Sequence, residues 1–236
     1  MSVTNEVQKS YDIIASHFSE TRKYPWPEMK AAATFLKEEM NVLDIGCGNG
    51  RFLEAVPKDL DIDYTGTDLS EQMIKCAKDR YPNHNFKQEN LLDLDEINKY
   101  DLIVSFAMFH HLPNEVDRLN ALEKISKALK KNGQFICTVW NLWSLKRKKY
   151  LFQALKSNLF NTKKSYKDCL IPWFDKDGNK KTNRYYYAFR ISELKKLIKN
   201  SDLNLEEIFF TPKGSNILNG KNIYVRVSKP SNNVFT

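Results

Sequence analysis

The segment from Asn41 to Gly50 constrains the fold most, because a short apolar run there leads directly into a loop with three glycines. Glycine adopts positive φ angles and has no Cβ, so such a loop turns sharply and lets a ligand approach the backbone. A helix after the loop would offer the ligand its unpaired N–H groups and its positive dipole end. Asp44 precedes the first glycine by two positions, and the glycine spacing differs from the dinucleotide pattern G-x-G-x-x-G. The segment predicts a strand, a loop and a helix that hold a nucleotide-type ligand.

A second carboxylate follows where a ribose ligand is expected. Asp68 closes the apolar run from Ile62 to Thr67, and Ser70 begins a helical pattern. A carboxylate about 20 residues beyond a glycine loop, at the end of the next strand, can accept hydrogen bonds from both ribose hydroxyls. Asp68 can also be interpreted as a helix-capping turn residue. The preceding strand, together with Asp44, favours the ribose ligand.

Two further strands complete the first half of a parallel sheet. The run from Phe86 to Leu94 predicts a third strand that leaves Asn90 near the base of the ligand. The run from Tyr100 to Phe106 is apolar throughout, which is typical of a strand buried on both faces. The pattern predicts a doubly wound α/β sheet with its ligand at the carboxyl ends of the strands.

Length and composition fit one such domain with an insertion. The chain has 236 residues, 42% of them hydrophobic, which is enough for a full core. It contains no run of 18 apolar residues and no signal-peptide pattern at its start, so we expect a soluble cytoplasmic protein. Its four cysteines form neither a C-x-x-C motif nor a Cys/His cluster, so we expect neither disulfides nor a bound metal in this chain.

The periodicities predict the order of the remaining elements. We expect residues 1–40 to form an N-terminal helical lid and substrate segment, and residues 41–236 the main domain, with residues 141–190 inserted after strand five. Residues 229–236 read as a loose tail. The predicted elements are helix four from about 115 to 130, strand five at 133–140, a loop at 168–173 that contains Pro172, a helix at 191–200, and strands at 203–211 and 222–228.

Positive charge is concentrated in one part of the chain. The net charge is +8, but residues 141–199 contain 16 Lys and Arg against 4 Asp and Glu, which is +12 and leaves −4 for the remainder. Aromatic residues are interleaved with these charges and would provide stacking platforms for unstacked bases. A basic surface beside the expected ligand site indicates a polyanionic substrate, of which RNA is the obvious candidate. The alternative is a solvated face in a lysine-rich protein, which the confinement of the charge makes less attractive.

The glycine loop resembles motif I of class I S-adenosylmethionine methyltransferases, and four other segments resemble one group of them more specifically. This group is the tRNA wobble-uridine carboxymethyl methyltransferases, which esterify 5-carboxymethyluridine to 5-methoxycarbonylmethyluridine. The similarity extends from about Tyr11 to Leu194, and Tyr187 and Asn90 depart from the family pattern. The segments are Tyr11 to Pro27, which contains His-Phe-Ser-x-Thr-Arg and Pro-Trp-Pro; Ser105 to His111; Val139-Trp140; and Asp168 to Trp173 followed by Arg184 to Leu194.

The resemblance implies a Rossmann-like sheet of seven mostly parallel strands and S-adenosylmethionine as cofactor. It implies that the turn from Ser105 to His111 faces the methyl group to be transferred. The cofactor-binding residues that it implies are Tyr11, Asp44, Gly46, Cys47, Gly48, Asp68, Leu69, Asn90, Leu91 and Ser105. The substrate-site residues that it implies are Arg22, His17, His111 and Trp140.

Methylation of a carboxylate makes modest chemical demands. A carboxylic acid with a pKa near 4 is already ionised at pH 7, so positioning rather than a strong base supplies most of the acceleration. Under the resemblance, Arg22 would clamp the carboxylate, because a guanidinium presents two N–H groups in a fixed fork. His17 and His111 would donate hydrogen bonds, with His110 as a further partner. Trp26 and Trp140 would form base-stacking walls or pack in the core, and Arg184 and Arg190 would contact phosphates or pack within the insertion.

The implied partners are tRNA and, as in eukaryotic members of the family, a small zinc-binding activator subunit. Two other functions remain open. The first is a methyltransferase for small carboxylic acids or other small O- or C-acceptors, built on the same sheet. The second is a catalytically silent RNA-binding or adaptor protein, which intact Asp44, Gly46, Gly48 and Asp68 argue against.

Overall fold

The computed structural model describes residues 2–158 and 165–231. In this part of the chain the strands are β1 (Met40–Ile45), β2 (Ile62–Asp68), β3 (Asn85–Gln88), β4 (Tyr100–Phe106), β5 (Leu129–Trp140), β6 (Asp168–Phe174), β7 (Lys180–Tyr187), β8 (Asn204–Thr211) and β9 (Asn222–Ser228). The helices are α1 (Val3–Thr21), α2 (Pro27–Ala33), α3 (Glu71–Arg80), α4 (Glu115–Ala128), α5 (Lys148–Asn158) and α6 (Ile191–Lys199). Short 3₁₀ helices span Arg51–Ala55, Leu91–Asp93 and Phe109–His111.

Seven strands form one sheet in the order β3-β2-β1-β4-β5-β9-β8. The first five in this order run parallel, and β9 is antiparallel to both β5 and β8. Helices cover both faces: one apolar cluster joins the sheet to α4 and α6, and another joins it to α2 and α3. The predicted seven-stranded, mostly parallel α/β fold is confirmed.

The glycine loop does not lead into a regular α-helix as predicted. The chain instead forms the five-residue 3₁₀ helix Arg51–Ala55, which follows Gly50 in the left-handed conformation at φ 74°. Val56, which caps this helix, has an extended backbone, and the next residue is Pro57. A residue before proline is disfavoured in the helical region, so the helix ends there. The ligand site therefore depends on the loop backbone more than on a long helix dipole.

Helix α4 ends at Ala128, and β5 begins at Leu129, several residues before the predicted start of strand five. Asn132, predicted to lie at the helix stop, adopts a positive φ of 61° inside β5, where the register with β4 is irregular. Asparagine tolerates this conformation better than most residues, so Asn132-Gly133 forms a bulge in a strand.

The predicted loop at 168–173 is wrong, because these residues form β6 and pair with β7 as an antiparallel hairpin. Pro172 lies opposite Asn183 within this hairpin. Proline is tolerated here because each strand of a two-stranded sheet has a neighbour on one side only. Its missing N–H therefore need not remove a hydrogen bond between strands. In the described residues, the insertion contains α5 and this hairpin. Of the loose tail predicted at 229–236, residues 232–236 lie outside the described residues, whereas the N–H of Lys229 donates to the carbonyl of Gly133 at 2.9 Å.

Helix α1 packs against α3 and β7, and so lies across the carboxyl ends of the parallel strands. A small cluster of Ile14 and Ala15 on α1, Met73 on α3 and Trp173 on β6 holds these elements together. Asp12 accepts a hydrogen bond of 2.6 Å from the Ser70 hydroxyl at the start of α3. Among the described residues, no helix combines the length and apolarity needed to span a membrane.

Candidate active site

An inner cavity lies at the carboxyl ends of the first four strands, beneath α1. This is where parallel α/β sheets bind nucleotide-type ligands. The residues that line it include Gly46 and Gly48 after β1, Asp68, Leu69 and Ser70 after β2, Glu89, Asn90, Leu91 and Leu92 after β3, Phe106, Ala107 and Met108 after β4, and Thr4, Val7, Gln8, Tyr11 and Phe18 from α1.

Gly46 is required by the shape of the loop. Its φ is +70°, and a Cβ on this residue would lie 2.4 Å from Cγ of Met108. Its N–H donates to the carbonyl of Thr67 at 2.7 Å, which fixes the loop on β2. A residue with a side chain would be strained and would collide with the neighbouring wall, so the loop backbone itself forms one side of the cavity.

Asp68 joins the two loops that hold the ligand. Its carboxylate accepts hydrogen bonds of 2.9 Å from the backbone N–H groups of Gly48 and Ser70, one on each oxygen. Burial raises its pKa to about 6, although these N–H groups act in the opposite direction. A half-buried carboxylate at a cavity wall with unused lone pairs fits a pair of ribose hydroxyls, which would stabilise the ionised form.

Asp44 lies beneath the loop and does not line the inner cavity. Its carboxylate accepts a hydrogen bond of 3.0 Å from the Tyr64 hydroxyl, and burial raises its pKa to about 7. Cys47 and Ser105, also predicted to bind the cofactor, are buried and are absent from the lining as well. The structure therefore places these three residues behind the wall and the other predicted cofactor residues on it.

Glu89 is a lining residue that the sequence analysis missed. It directly precedes Asn90 at the end of β3 and forms an ion pair of 2.9 Å with Lys87. Asn90 uses its side-chain oxygen to accept from the N–H of Leu92, which begins a 3₁₀ turn. Position 90 lacks the acid of the family pattern, but Glu89 places a carboxylate on the wall one residue earlier. This residue was visible in the sequence beside Asn90.

Tyr11 and His111 connect α1 to the turn after β4. Nδ1 of His111 lies 2.5 Å from the carbonyl of Tyr185, so this nitrogen carries the proton and donates. Nε2 is then an acceptor, and it accepts a hydrogen bond of 2.9 Å from the Tyr11 hydroxyl. Burial lowers the pKa of His111 to about 3, which keeps the ring neutral. The predicted role of His111 as a donor to substrate is wrong, because its only N–H is bonded to Tyr185.

In His17 and His110, unlike in His111, Nδ1 accepts a hydrogen bond. His17 lies in the outer cavity, where its Nδ1 accepts a hydrogen bond of 3.1 Å from the indole N–H of Trp173. Its Nε2 therefore carries the proton of the neutral ring. His110 is fully buried, its Nδ1 accepts from the N–H of Trp140, and burial lowers its pKa well below the usual value. Of the predicted histidine donors, His17 is the one that lines the outer cavity.

An outer cavity, which we call the vestibule, opens next to the inner cavity. Arg22, Trp140, Trp173 and Arg184 line both cavities, so the two meet at these side chains. The other vestibule residues are His17, Thr21, Lys146, Arg147, Lys149, Tyr150, Ile171, Pro172 and Phe174. The vestibule therefore has cations from the N-terminal segment, from α5 and its approach, and from the hairpin.

Arg22 and Arg184 form a pair of cations at the junction of the cavities. Their Cζ atoms lie 5.4 Å and 4.8 Å from the centroid of the Trp173 ring. Arg184 is only 5% exposed, and its Nε has no hydrogen-bond partner. Burial, followed by the charge of Arg184, lowers the pKa of Arg22. Neither forms an ion pair with a carboxylate of the described residues. The sequence analysis had assigned Arg184 to phosphates or packing.

The two tryptophans proposed as base-stacking walls already have partners. Tyr186 stacks on Trp140 at 4.9 Å with an interplanar angle of 23°, and the Cζ of Arg147 lies 4.4 Å from the centroid of the same ring. Trp26 lines the inner cavity, not the vestibule, and carries Arg51 at 4.3 Å. Direct stacking of a base on either indole is therefore not supported by this structure.

The departure at Tyr187 lies outside both cavities. Its hydroxyl donates to Glu193 at 2.8 Å, and its ring carries the guanidinium of Arg118 at 3.5 Å. Arg190 also lies outside, with its guanidinium 4.1 Å from the ring centroid of Trp143. These contacts hold the hairpin and α6 together, and Tyr187 lines neither cavity.

Comparisons with known proteins agree with this geometry. A family model described as a methyltransferase domain matches residues 18–208. A Xenopus tropicalis protein named tRNA (carboxymethyluridine(34)-5-O)-methyltransferase alkbh8 is 32% identical over 74% of this chain, which spans only 31% of that protein's length. A Schizosaccharomyces pombe protein named tRNA (carboxymethyluridine(34)-5-O)-methyltransferase is 28% identical over 83% of this chain and 87% of its own.

The fold is also found among solved structures. One is a complex between the Haloferax volcanii Trm112 methyltransferase activator and a methyltransferase. The match has a TM-score of 0.63 and 18% identity, and covers 97% of this chain and 98% of that chain. At this level of identity the likeness is one of fold.

Proposed function

Because the chain belongs to the methyltransferase domain family, we propose that it methylates the carboxymethyl group of a wobble uridine in tRNA, with S-adenosylmethionine as methyl donor. The product would be the methyl ester, 5-methoxycarbonylmethyluridine. The names of the frog and fission-yeast relatives support this acceptor, since both specify carboxymethyluridine at position 34.

The observation that carries the proposal is the pair of Arg22 and Arg184 at the junction of the cavities. Two guanidinium groups lie near each other on Trp173, without a carboxylate partner among the described residues, so their like charges repel each other. Arg184 is buried, and Arg22 is half-buried. An anionic acceptor relieves this repulsion, and a carboxylate matches the fork of a guanidinium. A neutral acceptor such as a phenol or a quinone would leave both charges uncompensated.

The residues of the inner cavity suit the proposed cofactor. S-adenosylmethionine supplies a methyl group on a positively charged sulfur. Asp68 would accept the ribose hydroxyls, while Glu89 and Asn90 would lie at the base end, after β3. The backbone at Gly46 and Gly48 lets the ligand approach, because neither residue has a side chain to obstruct it.

The acceptor requires no general base in this chain. A carboxylate is ionised at neutral pH, so the protein has to orient it and exclude water. His111 is neutral, and both of its nitrogens are engaged, so its role is to hold Tyr11 and α1 in place. Arg184 and Arg22 would orient the carboxylate, and His17 would donate from Nε2.

The vestibule supports a polynucleotide acceptor over a small acid. Lys146, Arg147 and Lys149 line it, and they belong to the basic insertion. Phosphate oxygens on either side of an inserted nucleotide would meet the exposed cations Lys146 and Lys149, and these contacts would make binding strongly dependent on salt. A free organic acid would fill the junction of the cavities but leave the vestibule cations unused.

Three further parts belong to this proposal. Helix α1 would act as the lid, because it contributes Tyr11 to the inner cavity and His17 to the vestibule. A small zinc-binding activator subunit would bind this chain, as the Trm112 activator binds the H. volcanii methyltransferase. We place the reaction in the cytoplasm, where we expect the tRNA acceptor.

The experiment is transfer of labelled methyl from S-adenosylmethionine to tRNA isolated from cells lacking this gene, followed by mild alkali. Release of the label as methanol is expected, since a methyl ester hydrolyses under these conditions. Alkali-stable label would move the acceptor to a base or ribose and overturn the ester. A lack of transfer with added activator, together with bound S-adenosylmethionine and labelling of a small acid, would favour the small-molecule alternative. No binding of S-adenosylmethionine would favour the silent adaptor.

A further inference from the structure

Trp140, at the wall of the vestibule, contacts two planar groups. Tyr186 stacks near-parallel to it at 4.9 Å, and the Cζ of Arg147 lies 4.4 Å from the centroid of the indole. Tyr186 also contacts the ring of His110 at 4.6 Å, with an interplanar angle of 28°. Trp140 is thus held by a buried aromatic cluster, and Arg147 packs against its indole where both side chains line the vestibule.

Hydrogen bonds hold Arg147 in place against Trp140. Its guanidinium donates a hydrogen bond to the carbonyl of Lys221, and its own N–H donates to the carbonyl of Ser144 at 2.9 Å. Burial lowers the pKa of Arg147. The side chain of the neighbouring Lys146 is exposed. A cation that serves only to attract phosphate has no need of partial burial, because burial removes its hydration.

The position of Arg147 relative to the carboxylate site is also defined. Arg184 lies 5.7 Å from the centroid of the same indole, so both cations contact Trp140. A carboxymethyl group held by Arg184 therefore brings its uracil ring into the part of the vestibule that Arg147 lines. Guanidinium planes are suitable stacking partners for unstacked bases, as aromatic rings are.

We propose that the guanidinium plane of Arg147, supported by Trp140, is the surface on which the target uracil stacks. This inference rests on the proposed function and assigns the base contact to Arg147 in place of the indole. Lys146 and Lys149, in contrast, contact the backbone phosphates. Within this basic run, Arg147 therefore provides the planar stacking surface, and Lys146 and Lys149 provide the charges that contact phosphate.

Two substitutions separate these roles. Arg147→Lys keeps the charge and removes the plane, whereas Arg147→Gln keeps a planar amide and removes the charge. Lys146→Gln is the matched control, because it removes one charge from the adjacent exposed residue. The probes are an anticodon stem-loop RNA with 5-carboxymethyluridine at the wobble position and the same RNA with an abasic wobble nucleotide.

Dissociation constants are measured for both RNAs over a range of salt concentrations. For Arg147→Lys we expect binding of the uridine RNA to weaken about tenfold, with no change for the abasic RNA or in the salt dependence. For Lys146→Gln we expect both RNAs to weaken equally, and the slope of log K against log salt to fall by about one. Arg147→Gln should show the same fall in slope while it retains part of the preference for the uridine RNA.

Equal binding of both RNAs by wild type and Arg147→Lys would overturn the stacking role, and so would an equal loss for both RNAs. Unchanged affinity for S-adenosylmethionine and an unchanged unfolding midpoint show that a variant is folded. The proposed function is tested separately, by methylation of the uridine RNA by the wild type. Wild-type methylation with normal Arg147→Lys kinetics would reject this inference and leave the proposed function intact.

Discussion

The guanidinium groups of Arg22 and Arg184 contact the same indole ring, that of Trp173, although they lie 162 positions apart in the chain. One follows the N-terminal helix, and the other belongs to the hairpin of the insertion. Their convergence places two cations at the boundary between the inner cavity and the vestibule, where the proposed function binds its anionic acceptor. The proposed acceptor site is therefore complete only when α1 and the hairpin are packed against each other.

Arg184→Gln and Arg22→Gln should each reduce kcat/KM for the carboxymethyl acceptor. Loss of a largely buried cation that binds an anion costs about 2–4 kcal/mol, or roughly 30- to 1000-fold in kcat/KM, and Arg184 should lose more because it is more deeply buried. Affinity for S-adenosylmethionine, measured by calorimetry, should change little. Arg190→Gln is the matched control, because its guanidinium stacks on Trp143 outside both cavities. Normal turnover by Arg184→Gln would refute the assignment.

Tyr11→Phe should destabilise the protein by about 1–3 kcal/mol, because Nε2 of His111 would lose its hydrogen bond while remaining buried. The free energy of unfolding is measured with urea. Tyr24→Phe provides the control, since Tyr24 is 84% exposed and should give no measurable change. If both variants have the same stability as the wild type, the hydrogen bond between α1 and the turn after β4 does not stabilise the closed lid.

Gly46→Ala and Gly178→Ala form a matched pair. Both glycines have a positive φ, +70° and +81°, so alanine introduces backbone strain of about 1 kcal/mol at each. Only at Gly46 does the new Cβ meet another group, Met108, because nothing lies within 4 Å of a Cβ at Gly178. We expect a larger fall in melting temperature for Gly46→Ala and loss of cofactor binding in that variant alone. Equal effects would show that strain, not the contact with Met108, governs the loop.

Asp44→Asn should stabilise the cofactor-free protein at pH 8 relative to the wild type. Burial raises the pKa of Asp44 from its ordinary value of 3.8 to about 7, so between these pH values the folded state binds a proton that the unfolded state has released. Stability from this group is fully present below the unfolded pKa and is lost as pH rises towards 7. Asparagine carries no such penalty. The difference between the two melting temperatures should therefore be larger at pH 8 than at pH 5, and a difference independent of pH would contradict this account.

Cofactor affinity should depend on pH through Asp68. Its pKa of about 6 implies that the carboxyl becomes protonated between pH 7 and pH 5 and accepts hydrogen bonds from ribose hydroxyls less well. Affinity for S-adenosylmethionine, measured by titration at fixed salt, should fall over this interval in the wild type. Asp68→Asn should bind weakly at every pH and show a flat profile. A wild-type profile as flat as that of the variant would remove Asp68 from the ribose site.

Local patterns were sufficient for most of the sheet. The strand before the glycine loop, the apolar run that became β4 and the two terminal strands could all be predicted, since burial demands continuous apolar side chains. The hairpin strand β6 was not predicted, because a proline such as Pro172 indicates a loop when the neighbouring strand is unknown. Antiparallel pairing with β7, which follows later in the chain, makes this segment a strand.

The sequence alone determined the α/β class, the glycine loop with its following carboxylate, and the location of positive charge in the insertion. These features depend on backbone conformation and on residues near one another in the chain. Tertiary structure decided which charged groups meet. It placed Arg184 beside Arg22 and Arg147 against the indole of Trp140. It also joined His111 to Tyr11 by a hydrogen bond. Such contacts join distant segments, and their energies depend on burial and on the partners within a few ångströms, which local sequence patterns do not encode.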